Sequence, residues 1–200
     1  MSDETAVERP EWSPTARLAA ANRMRESLKD SAGLIPIAEA AARFFTVTFA
    51  ADASSITLIR GREYRTLVTE GEPTSGQSRH TNWEPYATSS YPQITRVLRA
   101  GSGYVSSIGN PGGIPESQEM LTSFRQGSCI GAPIVYHSDV LGEVFVSRRV
   151  GAHSFNGKDL AVALELARQL GFRVGPAVVA HDANNPGWWP ADDQTADHLM

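Results

Sequence analysis

The sequence contains a single cysteine, Cys129, which excludes an internal disulfide and a cysteine zinc cluster. No apolar run approaches the ~20 residues that a membrane-spanning helix needs. The acidic, polar start MSDETAVERPEW lacks the apolar core of a signal peptide, so we expect a cytoplasmic protein. The formal net charge of −4 gives no electrostatic basis for binding nucleic acid.

The overall composition, with 41% hydrophobic and 20% charged residues, is typical of a soluble globular protein. A chain of 200 residues suffices for one ordinary domain with tails. We expect a disordered N-terminus at 1–12, an N-terminal helix at 13–30, a folded domain at 34–174 and an acidic, disordered C-terminal tail at 175–200.

The N-terminal helix is predicted to begin at Ser13, as N-cap, followed by a proline in the first turn. Its apolar stripe is narrow and rich in alanine. Such a stripe fits packing on the domain or pairing with a second copy of the helix in a dimer. The stripe consists of Leu18, Ala21, Arg25 and Leu28, with Met24 adjacent.

The centre of the sequence is a predicted β-hairpin, with strands at Cys129–Tyr136 and Val140–Ser147 and a turn at 137–139. Neither strand alternates cleanly between apolar and polar residues, which indicates a hairpin covered on both faces. We expect Val144 and Val146 to face one side of the sheet, and Leu141 and Phe145 the other.

Three positions in this hairpin are unusual for strands. Pro133 has no N–H for the sheet ladder, and Gly131 and Gly142 have no side chain to pack. They predict a bulge or the close approach of another group.

A helix is predicted after the hairpin, with Asn156 as N-cap and Asp159 at N3. We expect Phe155 to pack back on Leu160 as a hydrophobic staple and Gly171 to end the helix. The predicted buried face consists of Leu160, Ala163, Leu164, Ala167 and Leu170.

The remaining elements follow from periodicity and turn residues. A helix from about Pro36 to Phe49 should pair with the last helix on one side of the sheet. In the sequence between these two helices, a long polar loop is predicted at Gly71–Ser90, and it is a candidate lid over a binding site. The predicted strands are Ser54–Arg60, Tyr64–Thr69 and Tyr104–Ile108, and the predicted short helices are Pro92–Gly101 and Glu116–Gln126.

The run from the central hairpin through the last helix resembles the C-terminal half of a GAF domain, and the resemblance covers Leu34 to Arg173. It consists of a proline-bearing strand, a hairpin, a glycine-opened strand, and a phenylalanine four residues before an aspartate that opens the last helix. The matching residues are Ala132-Pro133-Ile134, Leu141 to Arg148, Phe155, Asp159, Leu160, Leu164, Ala167, Arg168 and Gln169.

The resemblance implies an α+β fold: an antiparallel sheet with long helices on one face and short helices and loops on the other. A PAS-like sensor is the nearest alternative. In the GAF family the short helices wall a ligand pocket. Aromatic and soft residues in the corresponding segments are therefore the candidate ligand-binding residues. These candidates are Trp83, Tyr86, Tyr91, Met120 and Phe124. Arg96 and Arg125 are candidate anchors if the ligand is an anion.

Other chemistries known in the family have weaker support. A redox branch that reduces methionine sulfoxide relies on several cysteines, and this chain has one. In the cyclic-nucleotide signature, Phe155 and Asp159 match the last spaced pair, but Leu160 replaces the glutamate. Haem binding would depend on His80, which lies in the long loop. No histidine has metal-ligand spacing with another histidine or cysteine.

We therefore expect a stand-alone sensory or regulatory module that binds a small molecule, a signalling partner or both, with no catalytic residues and no identified cofactor. The alternative is a dimerisation or protein-interaction module without a ligand, and a homodimer is expected. Trp188 and Trp189 either dock on the domain or form a partner-binding motif.

Overall fold

A computed structural model of the chain describes residues 11–71, 84–110 and 112–189. Helices α1 to α5 are Pro14–Leu28, Leu34–Thr48, Pro92–Arg99, Pro115–Ser123 and Gly157–Asn184. Strands β1 to β6 are Ala53–Arg60, Glu63–Gly71, Pro85–Ala87, Tyr104–Ser107, Gln126–Tyr136 and Asp139–Arg149, and a short 3₁₀ helix occupies Thr88–Ser90.

The strands form one antiparallel sheet in the order β3-β2-β1-β6-β5-β4. Helices α1, α2 and α5 cover one face, which we call the helix face, and bury the larger hydrophobic cluster there. Helices α3 and α4 cover the other face, which we call the pocket face, over a smaller cluster. This arrangement confirms the predicted α+β fold with long helices on one side.

The central hairpin forms as predicted, although its strands are longer and its turn is His137-Ser138. Val144 and Val146 belong to the helix-face cluster and Phe145 packs on the pocket face. Leu141 was expected beside Phe145 but packs on the helix face. The pairing shifts register between Ile134 and Val135, and this bulge changes the direction of the side chains that follow the turn.

The last helix begins as predicted, with the Asn156 side chain and Asp159 forming a capping box. Phe155 contacts the Arg148 guanidinium, 4.1 Å from its ring centroid, and the Phe49 ring, and it belongs to the helix-face cluster against which Leu160 also packs. The N3 residue Asp159 also accepts a hydrogen bond of 2.7 Å from Trp12 Nε1. Trp12 is therefore ordered against the domain, contrary to the expectation of disorder through residue 12.

The prediction that the last helix ends at Gly171 is wrong, because α5 continues to Asn184 and includes Pro176. A Cβ atom on Gly171 would lie 1.9 Å from the Val135 carbonyl oxygen. On Gly175 it would lie 2.4 Å from the Tyr136 ring. These glycines permit close contact between α5 and β5, so the predicted disordered tail is helical over residues 175–184.

The buried face of α5 also differs from the prediction. Leu166 is 1% exposed, whereas Leu160 and Leu164 are only half-buried. In α1, Met24 is buried and Leu18 is 60% exposed, so the stripe of that helix is rotated relative to the prediction. Helix α1 packs on α2 and α5, which confirms that it packs on the domain.

Helix α4 ends at Ser123, before the predicted Gln126, because Arg125 adopts a left-handed conformation with φ of 54°. Residue Gln126 then starts β5. Among the described residues, no helix combines the length and apolar character needed to span a membrane.

Candidate functional site

A cavity of about 100 Å³ lies on the pocket face, between the sheet and helices α3 and α4. Strands β1 and β2 supply threonine and serine hydroxyls, and aromatic rings from several elements supply most of the rest of the wall. The lining residues are Ala53, Ser54, Ser55, Thr57, Tyr64, Thr66, Thr69, Tyr86, Tyr91, Ile94, Tyr104, Met120, Phe124, Glu143 and Phe145.

Glu143 is the one charged side chain among these described lining residues, and it is 7% exposed. Its Oε1 atom accepts a hydrogen bond of 2.9 Å from the Tyr104 hydroxyl. Removal from water disfavours the ionised carboxylate, and this raises the pKa of Glu143 to about 7 although the hydrogen bond opposes the rise. The group therefore changes charge near neutral pH.

The Tyr104–Glu143 pair spans β5 at a position without a side chain. Strands β4 and β6 both pair with β5, and Gly131 of β5 lies between the two residues. A Cβ atom on Gly131 would lie 2.2 Å from Glu143 Oε1 and 2.2 Å from Tyr104 Cε1. The close approach predicted at Gly131 is thus confirmed, and it is what lets the two side chains meet.

The tyrosines of the cavity form a connected wall. The Tyr64 and Tyr86 rings stack with centroids 5.2 Å apart, and Tyr91 meets Tyr86 edge to face at 6.2 Å. The Tyr64 hydroxyl lies 2.7 Å from Thr95 Oγ1, which also donates to backbone carbonyls at the base of α3. Burial raises the pKa values of Tyr64, Tyr86 and Tyr104, so all three stay neutral across the physiological range.

Cys129 lies behind this wall and is fully buried. Burial raises the pKa of its thiol well above the usual value, and the nearby Glu143 raises it further. A thiol held protonated is a poor nucleophile. The environment of Cys129 is that of a small core residue rather than a catalytic one.

Four of the five residues chosen from the sequence lie around this one cavity: Tyr86, Tyr91, Met120 and Phe124. The fifth, Trp83, lies outside the described residues, as does His80. Arg96 and Arg125 are exposed and do not line the cavity, so they are not placed to anchor an anionic ligand there.

Sequence reasoning missed Glu143, Tyr64 and Tyr104. Glu143 had a visible signal, because it is a carboxylate within the apolar run Val-Leu-Gly-Glu-Val-Phe-Val of a strand covered on both faces. Tyr64 and Tyr104 were placed on strands correctly, but their direction depends on strand register, which the sequence left open.

No metal site emerges from the parts of the chain that the structure describes, where no group of three His, Cys, Asp or Glu residues could hold an ion. His137 lies in the hairpin turn, His153 is exposed before α5, and the His181 ring contacts Trp188.

Comparisons with known proteins rest on structure, since no family model matches the sequence and no curated protein matches it. The GAF domain of an Acinetobacter phosphoenolpyruvate-protein phosphotransferase superposes with a TM-score of 0.64 at 16% identity, covering 86% of this chain and 99% of that one. The corresponding domain from Coxiella burnetii gives 0.62 at 15%, covering 83% and 96%.

A third solved structure, the phycoerythrobilin-bound GAF domain from a cyanobacterial phytochrome, gives a TM-score of 0.65 at 13% identity and covers 84% of this chain and 100% of that one. The similarity extends over most of both chains in each comparison, and the topology agrees with the fold that the sequence resemblance implied. This chain has the fold of a GAF domain.

Proposed function

We propose that this protein is a sensory module that binds a small molecule in the cavity on the pocket face. The observation that carries the proposal is the convergence of four residues selected from the sequence, together with the buried Glu143, on one cavity. Binding sites of small molecules are typically apolar and aromatic with a few polar groups that fix orientation, and this lining has that character.

The similarity to a phycoerythrobilin-bound GAF domain supports a ligand-binding role for a domain with this fold. The described cavity of about 100 Å³ is below the ~300–1,000 Å³ of common ligand pockets. The proposed ligand is accordingly much smaller than a linear tetrapyrrole.

Ser55 provides a direct test. It is a half-buried serine of β1 that lines the cavity and makes no side-chain hydrogen bond within the described chain. Ser55→Phe should fill the cavity without removing a polar contact. Ser107→Phe is the matched control. Ser106 contacts Ser117 of α4 and therefore points to the pocket face. Because side chains alternate along a strand, Ser107 points to the helix face of the same sheet, away from the cavity.

The measurement is native mass spectrometry of freshly purified protein, followed by a thermal-shift screen of small metabolites. We expect a bound mass or a stabilising compound with the wild type and with Ser107→Phe, and neither with Ser55→Phe. Equal responses from Ser55→Phe and the wild type would place binding elsewhere. No bound mass and no stabilising compound for any of the three would favour the alternative, an interaction module without a ligand.

A second proposal concerns the expected homodimer, and exposed apolar side chains on α1 and α5 support it. Leu18 of α1 is 60% exposed, and Phe172 and Val179 of α5 are 60% and 67% exposed. Arg25 of α1 and Phe172 border one cleft between the two helices. Leu18 precedes Arg25, and Val179 follows Phe172, by about two helical turns, so each lies on the same side of its helix as that neighbour. Light scattering with size-exclusion chromatography should show a dimer that Phe172→Glu converts to monomer; a monomeric wild type would exclude this arrangement.

A further inference from the structure

The cavity has a chemical bias that the fold alone does not explain. Within the described chain, Glu143 has a hydrogen bond to Oε1 from Tyr104 and no ion pair, and its Oε2 atom accepts no hydrogen bond. Isolated buried carboxylates are costly, and proteins usually pair them with a cation or a set of donors. A ligand that brings a positive charge would supply the missing partner.

The aromatic wall favours the same kind of ligand. Tyr64, Tyr86 and Tyr104 use their hydroxyls in contacts with Thr95, Thr66 and Glu143 respectively. The rings themselves, with Tyr91, Phe124 and Phe145, line the cavity. Aromatic rings attract cations through the negative potential of their faces, most strongly when the cation is removed from water.

Positive side chains are absent from the described lining, which contains no lysine, arginine or histidine. The nearby acid Glu116 of α4 is occupied, since its carboxylate accepts from the backbone N–H groups of Gln93 and Ile94 at the start of α3. Arg99 of α3 donates to the Gly61 carbonyl oxygen at an exposed position. Neither group neutralises Glu143, so the electrostatic bias of the cavity is negative.

We propose that the cavity selects a small cationic ligand, a protonated amine with an apolar body, whose nitrogen pairs with the Glu143 carboxylate within the ring of tyrosines. The inference rests on the proposed small-molecule function and narrows it to one class of ligand. It excludes anions such as nucleotides from this cavity, because no described lining residue offers them a positive partner.

The ionisation state of Glu143 makes the selection depend on pH. The titratable groups that face it are Tyr104 of β4, Tyr64 of β2, Tyr86 of β3 and Cys129 of β5, and burial raises the pKa of each. All four are neutral at about pH 8, where Glu143, with its pKa raised to about 7, is ionised. At about pH 5.5 the carboxyl is protonated and no longer attracts a cation.

The test compares benzylamine, which is protonated at these pH values, with benzyl alcohol, which has a similar shape and no charge. Isothermal titration calorimetry uses the full chain at about pH 8 and about pH 5.5. Three proteins are titrated: the wild type, Glu143→Gln, and Glu119→Gln, which removes an equal charge at an exposed position of α4.

We expect the wild type and Glu119→Gln to bind benzylamine at least about tenfold more tightly than benzyl alcohol at the higher pH, a difference of about 1.4 kcal/mol. Glu143→Gln should abolish this preference, so that benzylamine binds no more tightly than benzyl alcohol. The wild type should also lose the preference at the lower pH, which tests the inference without any substitution.

The two ways of failing are distinguishable. Binding of benzyl alcohol without preference for the amine overturns the cationic inference and leaves the pocket in place. An amine preference that persists in Glu143→Gln also overturns it, because the charge that selects the amine would then lie elsewhere. Binding of neither compound to the wild type counts against this inference and against a small-molecule role for the cavity together.

Discussion

The Tyr104 hydroxyl and Glu143 Oε1 are 2.9 Å apart, although their strands are separated in the sheet by β5. The contact passes over Gly131, where any side chain would collide with both residues. One hydrogen bond offsets only part of the cost of burying a carboxylate, which is why the pKa of Glu143 rises to about 7. The consequences are measurable in the absence of any ligand.

The first prediction concerns stability and pH. The ordinary pKa of glutamate, 4.5, applies to the unfolded chain, and the pKa of Glu143 in the folded chain is about 7. Between these values the folded protein holds a proton that the unfolded chain has lost, so stability decreases as the pH rises. The total decrease is about 3 kcal/mol and is complete once the pH exceeds the folded value.

Urea unfolding of the wild type, Glu143→Gln and the surface control Glu119→Gln between about pH 4 and pH 8 checks this. Glu143→Gln should remove most of the decrease and be more stable than the wild type at the upper end. Glu119→Gln should follow the wild-type curve. If the free energy of unfolding of Glu143→Gln instead fell with pH as steeply as that of the wild type, the pKa of Glu143 would not be raised in the folded protein.

The second prediction separates two leucines of α5. Leu166 is 1% exposed in the helix-face cluster, and Leu164, two residues earlier, is half-buried at its margin. Leu166→Ala should lower the free energy of unfolding by about 2–5 kcal/mol, and Leu164→Ala by less, because less apolar surface returns to water. Denaturant melts of both variants measure the difference; a larger loss from Leu164→Ala would show that the helix is rotated in solution.

These leucines show what the sequence could and could not predict. The pattern of α5 established a helix and one apolar side, but Leu160 and Leu164 fitted that periodicity as well as Val162 and Leu166 did. Which of these two pairs is buried depends on how α5 lies against β5, and the local sequence does not specify that tertiary contact. Gly171 was equally ambiguous, since glycine both ends helices and permits close contact, and only the distance to the Val135 carbonyl oxygen decides.

The candidate site was predictable to a similar degree. Tyr86 and Met120, which line the cavity, were selected from the sequence because the resemblance indicated that the predicted loop and the short helices wall a pocket. The strand residues Tyr64, Tyr104 and Glu143 were not found. Tyr104 and Glu143 meet only through the order β4-β5-β6, and Tyr64 reaches the same cavity from β2, on the other side of β1. Neither the strand order nor the direction of each side chain is encoded locally.

The third prediction concerns Cys129. Its thiol is fully buried, and burial raises its pKa, so the thiolate that reacts with thiol reagents is scarce in the native protein. Labelling with a thiol-specific reagent should be slow natively and fast in urea. Cys129→Ser should keep ligand binding and cost about 1–3 kcal/mol for burying a hydroxyl. Rapid native labelling would contradict the burial and revive a redox role.

The fourth prediction concerns the segment after α5, where the two tryptophans were expected either to dock on the domain or to bind a partner. In the structure Trp189 is 6% exposed and belongs to the helix-face cluster. The Arg65 guanidinium lies 4.8 Å from the centroid of its ring, and Arg60 lies 5.3 Å from it. Trp188 donates to Asp182 Oδ1 at 2.6 Å, and its backbone oxygen accepts from Arg65.

This arrangement makes Trp189 a structural anchor that holds the end of the described chain on the β1–β2 hairpin. Trp189→Ala should lower the free energy of unfolding by about 3–5 kcal/mol, the range for large aromatic residues removed from a core. Trp189→Phe should cost less, because a ring remains for the two arginines to contact. Urea unfolding followed by circular dichroism measures both without depending on tryptophan fluorescence. If Trp189→Ala had the wild-type midpoint, the indole would be free in solution, and the partner-binding hypothesis for this segment would be the better one.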